Sequence, residues 1–388
     1  MAAPTTRELF AVAAPGLEPV VAAELRALGI EGTVEHGGVG WQGDDASLAR
    51  AVLHLRVAGR VLVRVARFRA RGFPEFERHA SRIDWTRFVT PGDGVTLRVT
   101  SRKSRLYHEG AIAERLLRVT GADAAMQDED DTSSDVQPFV VRFLRDECLI
   151  SADATGPLHR RGYRQQLAKA PLRETLAAAM LHAVGYADAP LLDPMCGSGT
   201  IAIEAALRAR RIPPGLACET REPRSHRMLR WPDFDRARWD AAVAGARAAI
   251  LPAASVPILG SDRDAGAIEA ARANAARAGV QHDIRFDRYP VSDAAVPDGI
   301  GMLVTNPPYG VRVGSGPLQD LYAALGNLAR RRLGGWQLAL LCADRRLCAQ
   351  TRLPLEAVFA TRNGGIAVEL MLARVPGDGV RQSEATAA

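Results

Sequence analysis

Three short apolar runs, each ending in a polar residue, constrain this chain more than any other feature. Pro190-Leu191-Leu192 leads to Asp193, Val256-Pro257-Ile258-Leu259-Gly260-Ser261 leads to Asp262, and Met302-Leu303-Val304-Thr305 leads to Asn306. An unbroken apolar run offers no polar face to water, so it reads as a strand covered on both sides. Helix-period stretches separate these runs: one ending at His182, one ending near Arg210, then 235–250, 265–278 and 318–332. Further strands are expected at 283–286 and 336–342, and a closing pair flanks Asn363-Gly364-Gly365. Such alternation predicts an α/β domain with a mostly parallel sheet, helices on both faces and an antiparallel hairpin at one edge. Ligands of such sheets lie over the carboxyl ends of the strands. Asp193, Asp262 and Asn306 are therefore expected to share one site.

The residues after each tip narrow the chemistry. Asp193-Pro194-Met195-Cys196-Gly197-Ser198-Gly199-Thr200 turns from a strand into an Ala-rich helix. Its glycines let the backbone approach a ligand closely, and the helix N-terminus offers free N–H groups, which suits a nucleotide-like cofactor. The stretch also satisfies a Gly-x-Gly-x-x-Ala dinucleotide pattern. A nicotinamide site wants an acid about 20 positions further on, where this chain is rich in Arg, Pro and Trp. The next clear strand comes later and carries Asp262, placed to accept from ribose hydroxyls. The third tip is Asn306-Pro307-Pro308-Tyr309-Gly310. Its prolines stiffen the backbone, so the Asn306 amide and the Pro307 carbonyl can converge on a planar amine while Tyr309 stacks on the base that carries it. Taken alone, this pentapeptide fits a proline-rich strand exit around a buried tyrosine equally well.

The first half is a different kind of sequence. A helix over 17–28 stopped by Gly29, strands around Gly37-Gly38, a helix over 47–55 and a strand over 60–68 describe a small α+β unit. Residues from Asp84 to about Ala154 read as a second α+β module with a helix over 111–119; the acidic run 128–135 reads as a solvated loop. The net charge is +6, and residues 60–105 hold twelve Lys or Arg against four Asp or Glu. That surplus suits a phosphate backbone, although Lys occurs only at 103 and 169 and so general use of Arg accounts for part of it. Arg102, Lys103 and Arg105 weigh more, because Ser101, Ser104, Tyr107 and His108 interleave them with hydrogen-bonding and stacking groups. A basic segment with His159, Arg160, Arg161, Arg164 and Lys169 follows; contact with a phosphate backbone and plain solvation are both open to it, and contact is favoured. Trp231, Phe234 and Trp239 either stack on nucleobases or pin an insertion to the sheet. Five cysteines without a Cys-x-x-Cys pair predict neither a disulfide framework nor a zinc site, and the eight histidines show no metal-ligand spacing. No apolar run approaches the ~18 residues that span a bilayer, and the N-terminus has no signal-like pattern, so a reducing cytoplasm is expected.

Asp-Pro-x-Cys-Gly-Ser-Gly-Thr, Gly-Ser-Asp-x-Asp and Asn-Pro-Pro-Tyr-Gly, in this order and spacing, resemble the class I S-adenosylmethionine-dependent methyltransferases of the amino-methylating branch. Ala14-Pro15-Gly16-Leu17-Glu18, residues 101–108, Leu158-His159-Arg160-Arg161-Gly162-Tyr163-Arg164 and Pro171-Leu172-x-Glu174-Thr175-Leu176 extend the resemblance over nearly the whole chain. It is to the THUMP-domain RNA methyltransferases, in particular the guanine-N2 half of bacterial 23S ribosomal RNA methyltransferase L.

The resemblance implies a ferredoxin-like subdomain over 1–70, a THUMP RNA-binding domain over 71–156, a basic linker over 157–170, a Rossmann-like methyltransferase domain with a seven-stranded sheet over 171–376 and a flexible tail over 377–388. S-adenosylmethionine is the implied cofactor, held by Thr175, Asp193, Cys196, Gly197, Gly199, Thr200, Asp262, Arg263 and, for the adenine amine, Asp293 in preference to Asp287. Asn306, Pro307 and Tyr309 are the implied catalytic residues. Arg102, Lys103, Arg105, Arg161, Arg164 and Arg312 are the expected RNA contacts. Cys196 sits inside the cofactor turn, where packing is favoured over a nucleophile's role. No metal and no membrane partner are expected, and the oligomeric state is left open. The expected reaction is methylation of guanine N2, with 23S ribosomal RNA first and tRNA as the alternative; N6-adenine methylation and a non-catalytic RNA-binding factor are the competing readings. A second methyltransferase activity is not expected from a chain whose closing strands lie so near Ala388.

Overall fold

The computed structural model describes residues 6–90, 93–125, 136–165, 172–216, 226–309 and 315–377. Its contacts divide the chain into two compact units. One comprises Met1–Ala13, Val21–Leu158 and Pro223–Gly245; the other comprises Ala14–Val20, His159–Glu222 and Ala246–Ala388.

The first unit is built on an eight-stranded sheet. Its strands are β1 (Arg7–Val12), β2 (Thr33–Glu35), β3 (Gly38–Gly43), β4 (Arg60–Arg69), β5 (Gly94–Arg102), β6 (Asp123–Ala124), β7 (Val136–Leu144) and β8 (Glu147–Asp153), in the order β2-β3-β1-β4-β8-β7-β5-β6. Side chains on β1 and along most of β7 alternate between buried and more exposed, the period of a sheet with one face against a core. Leu9, Ala11, Val61, Phe139, Val141 and Ile150 are on the buried side. The two α+β segments legible in the sequence share this sheet, because β4 pairs antiparallel with β8. Helices α1 (Glu18–Ala27), α2 (Asp45–His54), α3 (Phe73–Ala80) and α4 (Glu109–Thr120) are also present. Asp44 caps α2 by accepting from the Ser47 amide at 2.9 Å. The helix α3 was not foreseen; its Phe73-Pro74 start places proline in the first turn, where no intrahelical N–H is lost.

Residues 226–245 group with this unit although they follow α6 (Thr200–Ala209) in sequence; they include most of α7 (Arg236–Ala248). Trp231 donates to Gln137 Oε1 at 2.7 Å and meets the Phe88 ring edge-on, and Trp239 packs on His226. Arg7, its side chain fully buried, bridges Asp45 and Asp233. Trp231, Phe234 and Trp239 are thus buried anchors, not a stacking surface for bases.

The second unit carries the predicted parallel sheet. Its strands are β9 (Leu191–Asp193), β10 (Ile258–Asp262), β11 (Ile284–Arg288), β12 (Met302–Thr305), β13 (Gln337–Cys342), β14 (Glu356–Asn363) and β15 (Ile366–Arg374), in the order β11-β10-β9-β12-β13-β15-β14. The first five strands in that order run parallel, while β15 is antiparallel to both β13 and β14. Leu192, Leu303, Leu338 and Leu340 form a core with Tyr322, Leu325 and Leu328 from α9 (Ser315–Arg332). Helices α5 (Glu174–Ala183), α8 (Ala265–Arg277) and α10 (Arg345–Ala349) complete this unit's elements together with α6. The strand order reverses at β9, with β10 and β12 on its two sides, which opens a crevice over the carboxyl ends. Gly16 has φ of +82°, and a Cβ there would collide with the Ala360 carbonyl, which gives the Ala14-Pro15-Gly16 stretch a steric need for glycine. The sulfurs of Cys342 and Cys348, six positions apart in sequence, lie side by side in this unit.

Candidate active site over the strand tips

A cavity of about 880 Å³ lies over the carboxyl ends of β9, β10 and β12. It is lined by Leu172, by Asp193, Pro194, Met195, Cys196, Gly197 and Ser198, by Thr200 and Ile201, by Asp262, Arg263 and Asp264, by Pro290, Val291 and Ser292, and by Asn306, Pro307, Pro308 and Tyr309. All three strand-tip residues expected to share one site do so.

Asp193 is 1% exposed. Its Oδ1 accepts from Thr305 Oγ1 at 2.7 Å and from the Met195 amide at 3.3 Å, so the end of β12 clamps the end of β9. Burial lifts its carboxyl to about 7 and the Asp262 carboxylate adds to the rise, while the two hydrogen bonds oppose it. Asp262 accepts from the Gly197 amide at 3.1 Å and from the Asp264 amide at 3.0 Å, fixing the glycine turn and the start of α8 together. Gly199 opens α6 in the left-handed region, φ +84°, and a Cβ there would press on Phe286 and Ala271 at 3.0 and 3.1 Å. It therefore shapes the turn without lining the cavity. The Cys196 thiol is pushed well above its usual range by burial, with Asp193 and Asp262 adding to the rise. A thiol so hard to ionise is a packing group.

Asn306 Oδ1 is buried at the tip of β12 and has no hydrogen-bond partner among the described residues. An unsatisfied buried acceptor costs about 1–3 kcal/mol, a penalty that an incoming N–H donor would relieve. Tyr309 lines the same cavity, and its hydroxyl accepts from Asn363 Nδ2 at 2.6 Å. Asn363, at the end of β14, was legible in the sequence only as part of a turn; its contact with Tyr309 was not.

Other expected site residues lie elsewhere. Thr175 is in the first turn of α5 and does not line the cavity; Leu172, just before that helix, does. Asp293 is exposed and outside the lining, because its neighbours Val291 and Ser292 take the inward positions. Asp287 is also outside the lining and pairs with Arg285 at 2.6 Å. Arg263 lines the cavity and lends its carbonyl to Arg288.

Of the expected RNA contacts, Arg102, Lys103 and Arg105 are exposed at the end of β5. Their loop is held by Ser101 Oγ on the Leu106 carbonyl at 2.6 Å and by the Arg105 amide on Asp146 at 2.8 Å. Beside them Tyr107 is 66% exposed, with its ring centroid 4.1 Å from that of His108. Arg161 and Arg164 do not fit the expectation. The Arg161 side chain is 1% exposed and ion-paired with Glu204, while Arg164 is 12% exposed and bound to Glu174 and to the Leu172 carbonyl. Both guanidinium groups are held inside the second unit, turned largely away from solvent. Arg312, Lys169 and the acidic run 128–135 lie outside the described residues.

Comparison with known proteins agrees with this geometry. Residues 161–368 match the model of the RMKL-like methyltransferase domain, and residues 8–62 match that of the RlmL ferredoxin-like domain. The chain is 35% identical to slr0064 of Synechocystis, provisionally named an RNA methyltransferase, over 95% of this chain and 96% of that protein. It is 35% identical to the ribosomal RNA large subunit methyltransferase K/L of Syntrophotalea carbinolica over 94% of this chain but 53% of the relative, so it spans about half of that protein. Among solved structures, SMU.472, a provisional methyltransferase in complex with SAH, is 28% identical and superposes with a TM-score of 0.83 over 97% of this chain and 99% of the other. A Listeria monocytogenes protein provisionally named an N6-adenine-specific DNA methylase is 29% identical with a TM-score of 0.82, over 96% and 97%. With more than half of its length matched and a near full-length relative at this identity, the chain belongs to the family of RMKL-like methyltransferases.

Proposed function

We propose that this protein methylates the exocyclic N2 of a guanine in RNA, with 23S ribosomal RNA as the substrate and S-adenosylmethionine as the methyl donor. The observation that carries this reading is the unpartnered, buried Asn306 Oδ1 in the same cavity as the Asp193–Gly197 turn and Asp262. S-adenosylmethionine, when bound, supplies an electrophilic methyl on a cationic sulfur. Asp193 would face the cofactor's ammonium group and Asp262 its ribose hydroxyls, and Arg263 would flank the adenine. Asn306 and the Pro307 carbonyl accept from the two N–H bonds of the target amine and hold it in line with the methyl. Tyr309 stacks on the base, steadied by Asn363. No strong base is needed, because the nitrogen becomes acidic once the new bond has formed and its proton passes to an acceptor or to water. Rate enhancement comes from placement and from acceptors fixed before reaction.

Guanine N2 is engaged in a duplex, so the nucleotide must be unpaired or flipped at a cost of about a few kcal/mol. The exposed Arg102, Lys103 and Arg105 with Tyr107 supply RNA contacts that offset this cost. Guanine in ribosomal RNA is supported by the motif set and by the K/L relative's name; tRNA guanine remains the alternative within the same chemistry. The adenine reading draws on one observation, the name of the Listeria relative, since the acceptors at Asn306 and Pro307 serve an adenine amine equally. Among the described residues no helix is long and apolar enough to cross a membrane, and we place the reaction in the cytoplasm, where ribosomal RNA is made.

An RNA transcript made with inosine in place of guanosine tests the base directly, because inosine lacks the exocyclic amine. Methyl transfer should vanish on that transcript; undiminished transfer would overturn the guanine assignment.

A further inference from the structure

Arg161, Tyr163 and Arg164 belong to the basic segment between the two halves of the sequence, yet their side chains are turned inward. Arg161 pairs with Glu204 of α6, and the fully buried Tyr163 donates its hydroxyl to the other oxygen of the same carboxylate at 2.9 Å. Arg164 sets one guanidinium nitrogen 3.3 Å from Glu174 and donates another to the Leu172 carbonyl at 2.6 Å. Two guanidinium groups thus face two carboxyl groups in a buried cluster. Such a cluster adds little net stability, but it demands one geometry, since any broken pair strands a buried charge.

Two arms lead from this cluster to the cavity wall. The first is the bond from Arg164 to the carbonyl of Leu172, a lining residue. The second begins at Arg277 of α8, whose Nε donates to the Tyr163 carbonyl at 2.8 Å and whose Nη2 donates to Asn274 Oδ1. Asn274, with no exposed surface, donates in turn to the carbonyl of Ser198 at 3.0 Å. Ser198 belongs to the glycine turn and lines the cavity. We infer that residues 161–164 act as a brace that positions Leu172 and the Ser198 turn for the cofactor, and that Arg161, Arg164, Arg277 and Asn274 are positioning residues for cofactor binding. This rests on the cavity being the S-adenosylmethionine site.

Titration of the full chain with S-adenosylhomocysteine, alongside RNA binding at several salt concentrations, tests it. Arg164→Gln should weaken S-adenosylhomocysteine binding about tenfold, as loss of one charge-assisted hydrogen bond does, while RNA affinity and its salt slope stay at the wild-type values. Arg164→Lys should recover part of the loss, because an ammonium can still donate to the Leu172 carbonyl. Arg277→Met cuts the second arm at a partly exposed residue and should raise the KM for the methyl donor more than it lowers kcat, which a loss of folded protein would not do. Unchanged S-adenosylhomocysteine affinity in folded Arg164→Gln and Arg277→Met would overturn the brace. So would a reduced salt slope for RNA in Arg164→Gln, which would return that arginine to the phosphate backbone. Failure of the wild-type chain to bind S-adenosylhomocysteine would instead remove the cofactor reading beneath it.

Discussion

Thr305→Val isolates the electrostatics of the cofactor cavity, because valine keeps the shape of threonine and removes only the donor to Asp193. Burial lifts the Asp193 carboxyl to about 7, and the 2.7 Å bond from Thr305 is the strongest influence pulling it down. A hydrogen bond to a charged group contributes about 1.5–3 kcal/mol, and about 1.4 kcal/mol corresponds to one pKa unit. Removing it should therefore raise the Asp193 midpoint by about one to two units. If the ionised carboxylate receives the ammonium group of the cofactor, wild-type affinity for S-adenosylhomocysteine should rise with pH and level off above about 7. In Thr305→Val the same rise should be displaced to higher pH, so that near neutrality the variant binds about tenfold or more weakly and recovers most of the loss on the alkaline side. The sign for stability is opposite: between about pH 4 and 7 the folded chain keeps a proton that the unfolded chain has released, so the contribution of Asp193 to stability falls as pH rises through that window. Calorimetric titration from acid to alkaline pH on both proteins is the assay. A wild-type affinity independent of pH, or the same midpoint in both proteins, would refute the reasoning.

Asn306→Ala should lower methyl transfer by about 10²–10³-fold or more, the scale of losing one preorganised hydrogen-bonding partner, while S-adenosylhomocysteine binding stays within about twofold; parallel loss of cofactor binding in a folded variant would sink the assigned role. Tyr309→Phe and Asn363→Ala should reduce kcat to a similar extent, and the double variant should be no worse than either, because both remove the same 2.6 Å contact. Additive losses would mean that Asn363 acts elsewhere. Neutralising Arg102, Lys103 and Arg105 together should weaken RNA binding and shrink its salt slope by about two, near 0.7 per lost phosphate contact on a single strand; an unchanged slope would reject that patch.

The parallel half was legible in the sequence because its constraints are local. Apolar runs ending in Asp193, Asp262 and Asn306 marked buried strands and their tips, and α8 was foreseen within one residue at its end. Glycine chemistry at 197 and 199 followed from backbone sterics alone. What escaped was tertiary. Arg161 and Arg164 read as a basic surface because their neutralising partners, Glu204 and Glu174, come later in the chain and only folding brings them together. Asp293 read as an adenine acceptor by its place after the third strand, but the short turn at 291–293 points its neighbours inward instead. Residues 226–245 read as part of the methyltransferase half, whereas Trp231 finds its hydrogen-bond partner in Gln137, 94 positions earlier. Nothing in local composition announces such a pairing. Asn363 illustrates the same limit, since Asn-Gly-Gly declares a hairpin and conceals the contact that its side chain makes with Tyr309.

The most direct test of the central claim is incubation of the protein with labelled S-adenosylmethionine and separate pools of unmodified 23S ribosomal RNA and tRNA, followed by nucleoside mass spectrometry. The account predicts N2-methylguanosine, formed in the ribosomal pool and absent from the same reaction with Asn306→Ala. N6-methyladenosine as the product, or N2-methylguanosine formed equally well by Asn306→Ala, would contradict it.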